Sequence, residues 1–182
     1  MNNAFEILGI APRLAIEVDE LRAAFREAGK TAHPDAGGLN EDFAMLREAF
    51  ETLSSPSRRL RHWLELRGTP VEPRGAVNAE LMDLFAEVGS ATQRAESLVR
   101  KRGEAKSALG LAVLEREANA CRQAVEQALA LVENAIERET SRFPGMEKAA
   151  VVDSAAASET ARNLAFLEKW RASLRSVFSR LV

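Results

Sequence analysis

The residues with the most evident chemistry are His33-Pro34-Asp35. Proline fixes its own φ, lacks an amide donor and pushes His33 out of the helical region, so a rigid corner forms between two helices. His33 and Asp35 then stand exposed on a pre-organised turn, though the same three residues also read simply as a helix stop followed by a turn. In the preceding helix, a step of 100° per residue places Arg26 and Lys30 within about 80° of Arg22, forming one basic face. Leu21, Phe25, Ala28 and Ala32 lie roughly opposite. A basic stripe beside an exposed corner suits an acidic partner surface, and a merely solvated helix face is the plainer alternative. Ala24 to Thr31 also satisfies the phosphate-loop pattern in which the first position is Ala. That chemistry needs a buried strand, a glycine-rich turn and then a helix. Glu17 to Ala23 are too charged and helix-prone for the strand, and one glycine cannot build the turn, so nucleotide binding through Lys30 is set aside. Cys121 is the sole cysteine and His33 and His62 the sole histidines, too few and too scattered for a disulfide or a metal site. No cofactor is expected.

The composition points to helices as the elements that position these groups. The 182 residues suffice for one ordinary domain or two small ones and exclude a large multidomain enzyme. Hydrophobic residues make up 46% and charged residues 29%, which argues against disorder. A net charge of -2 argues against a polybasic nucleic-acid binder. With 10 Gly, 6 Pro and no Tyr, the chain lacks the turn and aromatic content of β-rich proteins. Charge interrupts every long apolar stretch well before the roughly 18 residues that span a bilayer, and no secretory leader is evident. A cytoplasmic protein with no membrane partner is expected.

Glycine and proline divide the chain into a first part of short helices, residues 1–68, a linker at 69–77, and a second part of long helices, residues 78–182. In the first part, Asn2 or Asn3 caps a short helix stopped by Gly9. A second helix begins near Asp19 and ends by Ala32, a third runs from Asn40 to Leu53, and a fourth starts at Ser55-Pro56 and continues through Leu66. In the second part, residues 78–101 carry Leu81, Leu84, Phe85, Val88, Ala95 and Val99. Residues 104–140 carry a seam of Leu111, Leu114, Ala118, Cys121, Val125, Ala128 and Val132. Phe143-Pro144-Gly145 is expected to break the chain before a last helix from about Glu147, with Leu167, Trp170, Leu174, Val177 and Leu181 along one side. The expected fold is all-α, ending in an up-down-up three-helix bundle. A second copy of the chain could equally complete the apolar seam.

Phe5 to Ile10, Leu21 to Arg26, His33 to Asp35 and Ala49 to Pro56 resemble a J-domain in order and spacing. Arg58 to Gly68 and Leu164 to Trp170 resemble the HscB family, J-type co-chaperones of iron–sulfur cluster assembly whose C-terminal domain is a three-helix bundle. The resemblance implies that His33, Pro34 and Asp35 engage a DnaK/HscA-type ATPase chaperone, with Arg22, Arg26 and Lys30 against its acidic surface. It also implies that the protein stimulates that ATPase without being an enzyme itself. By the same resemblance Leu81, Met82, Phe85 and Phe166 would bind an IscU-type scaffold as client. Leu81 shares a helical stripe with Leu84 and Val88, so bundle core is an equal reading of it, whereas Met82 lies about 100° off that stripe. A J-domain adaptor for a different client, and a structural coiled-coil protein with a degenerate J-domain, are the alternatives. Ala32 and Ala36 depart from the usual aromatic and basic residues of J-domains, and Glu27 adds negative charge beside the basic stripe.

Overall fold

The computed structural model describes residues 3–32, 39–72, 74–75 and 79–181. These form eight helices: α1 (Ala4–Ile7), α2 (Val18–Ala32), α3 (Asn40–Ser54), α4 (Pro56–Leu66), α5 (Ala79–Glu104), α6 (Ala108–Thr140), α7 (Phe143–Lys148) and α8 (Ser154–Leu181). Among the described residues there is no strand, and no helix is long and apolar enough to cross a membrane. The chain divides into two compact units, Met1–Gly75 with Glu139–Ala165, and Ala76–Arg138 with Phe166–Val182.

Local signals set the short helices of the first unit. The Asn3 side chain accepts from the Phe5 amide, and the buried His62 ring accepts the Ala4 amide at Nε2, 3.0 Å away. Two of the donors that the first turn of α1 leaves without intrahelical partners are thereby satisfied. Because Nε2 accepts, the neutral His62 ring carries its proton on Nδ1. The ring also stacks on Phe5. Gly9 at φ 64° stops α1, and Gly68 at φ 66° stops α4, each in the left-handed region that a side chain disfavours. Ser55 caps α4 through the Arg58 amide, with Pro56 in the first turn. Phe25 of α2 packs on Phe50 and Phe43 of α3, with ring centroids 4.7 and 6.4 Å apart, so aromatic contacts fix the α2–α3 pair.

A distant part of the sequence completes this unit. Phe143 is 2% exposed and lies under the Arg59 guanidinium, which donates to the Leu53 carbonyl. The Glu147 carboxylate accepts the amides of Leu14 and Ala15 in the α1–α2 connection. Pro70 and Glu72, read from sequence as part of a linker, are strapped to the first turns of α8. Ser154 donates to the Pro70 carbonyl, the Glu72 amide donates to Ser158, and Arg162 donates to the Glu72 carbonyl at 2.8 Å. Gly75 lies directly against the Arg162 guanidinium, where a Cβ would overlap it.

The expected break at Phe143-Pro144-Gly145 is instead the start of α7, because proline's fixed φ suits a first helical turn. The last helix begins at Ser154 rather than near Glu147. Asp153 marks its start by accepting from the amides of Ala155 and Ala156.

In the second unit the direction of each helix follows from its side-chain pairs. Phe85 meets Trp170, Glu96 meets Arg180 and Arg102 reaches the Leu181 carbonyl, so residue numbers rise together along α5 and α8. Against them α6 runs the opposite way, pairing Glu133 with Arg175 and Arg122 with the Leu181 carbonyl. This is the expected up-down-up arrangement. Its core holds Val88, Ala95, Leu98, Ala118, Val125, Ala128, Val132, Leu174 and Val177. The expected seam fails at its start, where Leu111 is 44% exposed with its neighbours Leu109 and Val113. The Arg122 hydrogen bond holds the Glu115 carboxyl below its ordinary pKa, opposed by desolvation and reinforced by the charges of Arg122 and Arg102.

Candidate functional site

The first candidate face lies on α2. Leu21 is buried and Phe25 is turned into the aromatic cluster, which leaves Arg22, Arg26 and Lys30 exposed on the other side. Two of the three cations already have partners on the same helix, Arg22 with Asp19 at 3.2 Å and Lys30 with Glu27 at 2.6 Å. Arg26 has no partner among the described residues. Exposed pairs of this kind contribute only about 0–1 kcal/mol, so an incoming carboxylate can displace either acid at little cost. The helix ends at Ala32, directly before His33-Pro34-Asp35, and α3 begins at Asn40. The tripeptide itself lies outside the described residues.

The second candidate face is an open groove of about 280 Å³ between α5 and α8, lined by Leu81, Met82, Phe85, Phe166, Lys169 and Trp170. The four residues singled out from the sequence therefore meet in one place, but they contribute differently. Leu81 is only 5% exposed and forms the floor, in keeping with its place on the core stripe. Met82 and Phe85 are each 54% exposed and Phe166 is 43% exposed. Trp170, read from sequence as a core residue, is half-buried and packs beside both Phe85 and Phe166, with centroids 5.8 and 6.1 Å apart. The Phe166–Trp170 spacing of four residues was the available signal for this wall. Exposed aromatic and methionine side chains gathered around a concave surface make an adaptable apolar contact site. Among the described residues no three His, Cys, Asp or Glu side chains gather as a metal-binding set.

Known proteins resemble the chain in two ways. The DnaJ domain family model matches residues 3–62. A tetratricopeptide repeat and J domain-containing co-chaperone of Cryptococcus neoformans is 47% identical over 58 residues, covering 32% of this chain and 11% of that protein. A co-chaperone protein HscB homolog of Shewanella amazonensis is 32% identical over 78 residues, covering 38% of this chain and 45% of that protein. These alignments thus span less than half of each curated relative. The part of the chain that matches the DnaJ domain family is therefore α1 to α3 with most of α4, and it includes the basic α2 face. Over its whole length its fold is HscB-like: chaperone HscB from Vibrio cholerae superimposes with a TM-score of 0.60 at 20% identity, covering 100% of both chains.

Proposed function

We propose that this protein is a cytoplasmic J-type co-chaperone that stimulates the ATPase of a DnaK/HscA-type chaperone and presents an IscU-type iron–sulfur scaffold as client. The observation that carries this reading is the exposed basic face of α2, which leads directly into His33-Pro34-Asp35 within the matched DnaJ domain. The co-chaperone supplies no catalytic group. It accelerates hydrolysis by binding the hydrolysis-competent state of its partner more tightly than the resting state, since only differential affinity shifts an equilibrium. The cations on α2 steer encounter with an acidic surface. The division of labour follows the two units rather than the sequence boundaries at 68 and 78: α2 in the first engages the chaperone, and the groove of the second, formed by α5 and the later part of α8, holds the client. The groove supports the client half of the reading, being apolar, concave and lined by Met82, Phe85 and Phe166.

Single-turnover ATP hydrolysis by each DnaK/HscA-type chaperone of the organism, with the native protein or His33→Gln, tests the chaperone half. Stimulation by the native protein that is lost in the variant is expected, and no stimulation of any chaperone overturns the reading. Binding of the purified scaffold tests the client half. Met82→Ala with Phe85→Ala is expected to weaken it about 100-fold, as loss of two central apolar anchors does. A native protein that does not bind the scaffold assigns the groove to a different client.

A further inference from the structure

The groove does not end at Phe85. A second lobe lined by Val88, Gly89, Thr92, Gln93, Glu96 and Ser173 continues it, and the two lobes share Phe85, Lys169 and Trp170. Two features of the second lobe have no explanation in the packing of the helices. Gly89 lies in the interior of α5, where glycine is the least favourable residue after proline. It has no positive φ, and a Cβ placed on it would meet nothing within 4 Å. Neither backbone conformation nor a close neighbour calls for a glycine there, and what its missing side chain provides is open space in the groove.

The second feature is the charge of Lys169 at the junction. Glu96, the other charged residue lining the groove, is engaged by Arg180 at 3.6 Å. Lys169 has no partner among the described residues. Its charge lines the groove together with Phe85, Phe166 and Trp170.

We propose that the client is recognised through a segment in which apolar side chains, seated in the first lobe, are followed by a carboxylate that pairs with Lys169, the chain then passing over Gly89 through the second lobe. The proposal rests on the client reading given above and adds its chemistry: the segment is acidic beside its apolar anchors and slim where it crosses Gly89. Charge complementarity favours such a segment over a second copy of this chain. In a two-fold pairing the groove would face its own copy, and the acid that lines it, Glu96, is already engaged by Arg180, so the groove of a second copy offers Lys169 no uncommitted carboxylate. Because Lys169 is exposed, the pair acts mainly by orienting the segment, and its contribution falls with salt.

The test is equilibrium binding of the purified scaffold to full-length variants at two ionic strengths, with sedimentation of each variant alone. Lys169→Glu is expected to weaken binding about tenfold or more, Lys169→Arg to retain it, and Lys169→Met to remove part of its salt dependence. Gly89→Leu is expected to weaken binding about tenfold while its unfolding midpoint stays level or rises, because leucine is the better helix former. Binding weakened by Met82→Ala with Phe85→Ala but unchanged by Lys169→Glu and Gly89→Leu overturns this proposal and leaves the client reading standing. Absence of native binding overturns both. A dimer that Met82→Ala with Phe85→Ala disperses would make a second copy the occupant and overturn the proposal as well.

Discussion

The two faces handle charge in opposite ways. On α2 three cations sit in open solvent, two of them already neutralised by acids one turn away on the same helix. In the groove of α5 and α8 the cation Lys169 stands beside aromatic rings and has no partner among the described residues. The α2 face suits rapid, orienting encounter, because exposed charges act over distance, exchange partners cheaply and are screened by salt. The groove suits affinity, because apolar side chains in a concave site contribute most where water is excluded. Each face also depends on its own packing. The α2 face is set by an aromatic cluster and by residues far along the chain, whereas the groove is the surface of two long helices.

That dependence gives the largest effect. Phe143 is fully buried in the unit that holds α2, although it lies more than a hundred residues beyond it in sequence. Truncating a buried phenylalanine leaves a cavity and typically costs about 3–5 kcal/mol. Phe143→Ala should therefore lower the unfolding midpoint of the first unit. The measurement is denaturant unfolding followed through Trp63 in a Trp170→Phe background, where Trp63 is the sole indole. An unchanged midpoint would mean that residues 1–75 are stable without Glu139–Ala165, and the two faces would then differ less in how they are supported.

Next in size is the response to charge. Arg26 is the α2 cation with no partner among the described residues, so Arg26→Glu should slow stimulation of the chaperone about five- to tenfold at low salt and much less at high salt. The same substitution should leave scaffold binding unchanged. Stimulation equally impaired at all ionic strengths would show that Arg26 makes a close contact in the bound state, and the contrast between a steering face and an affinity face would fail.

Much of this organisation was legible in the sequence, most clearly in the first unit. Asn3, Gly9 and Ser55-Pro56 act through local backbone chemistry, which a sequence states directly, and each stands at a helix end expected of it. Residues whose role depends on a distant partner were not legible. Nothing near Glu147 announces that it holds the amides of Leu14 and Ala15, and nothing near Pro70 to Gly75 announces the hydroxyls and guanidinium of α8. The long helices are intermediate. Their periodicity identified Met82 as lying off the core stripe, but it also placed Leu111 in a seam that the helices leave uncovered. Trp170 shares a helical side with Leu167 and Leu174 yet is only half-buried, because a residue at the boundary between two faces belongs to both.

The smallest effect compares the two glycines in helix interiors, one beside each face. Gly29 of α2 and Gly89 of α5 both weaken their helices by about 1 kcal/mol relative to alanine. At Gly29 an added Cβ would lie 4.0 Å from a Leu46 methyl, an ordinary contact, so alanine fits without displacement. Gly29→Ala should raise stability by about 0.5–1 kcal/mol, since it also restricts the unfolded chain. It should leave stimulation of the chaperone within about twofold of native, because a methyl group is far shorter than the flanking Arg26 and Lys30 side chains that meet the partner. Substitution at Gly89 by a large side chain should likewise cost no stability, yet weaken client binding. Thermal unfolding and the two binding assays on both variants decide the matter. If Gly29→Ala impairs stimulation as strongly as Gly89→Leu impairs binding, then the chaperone makes close contact with the α2 backbone, and the α2 face reads shape as well as charge.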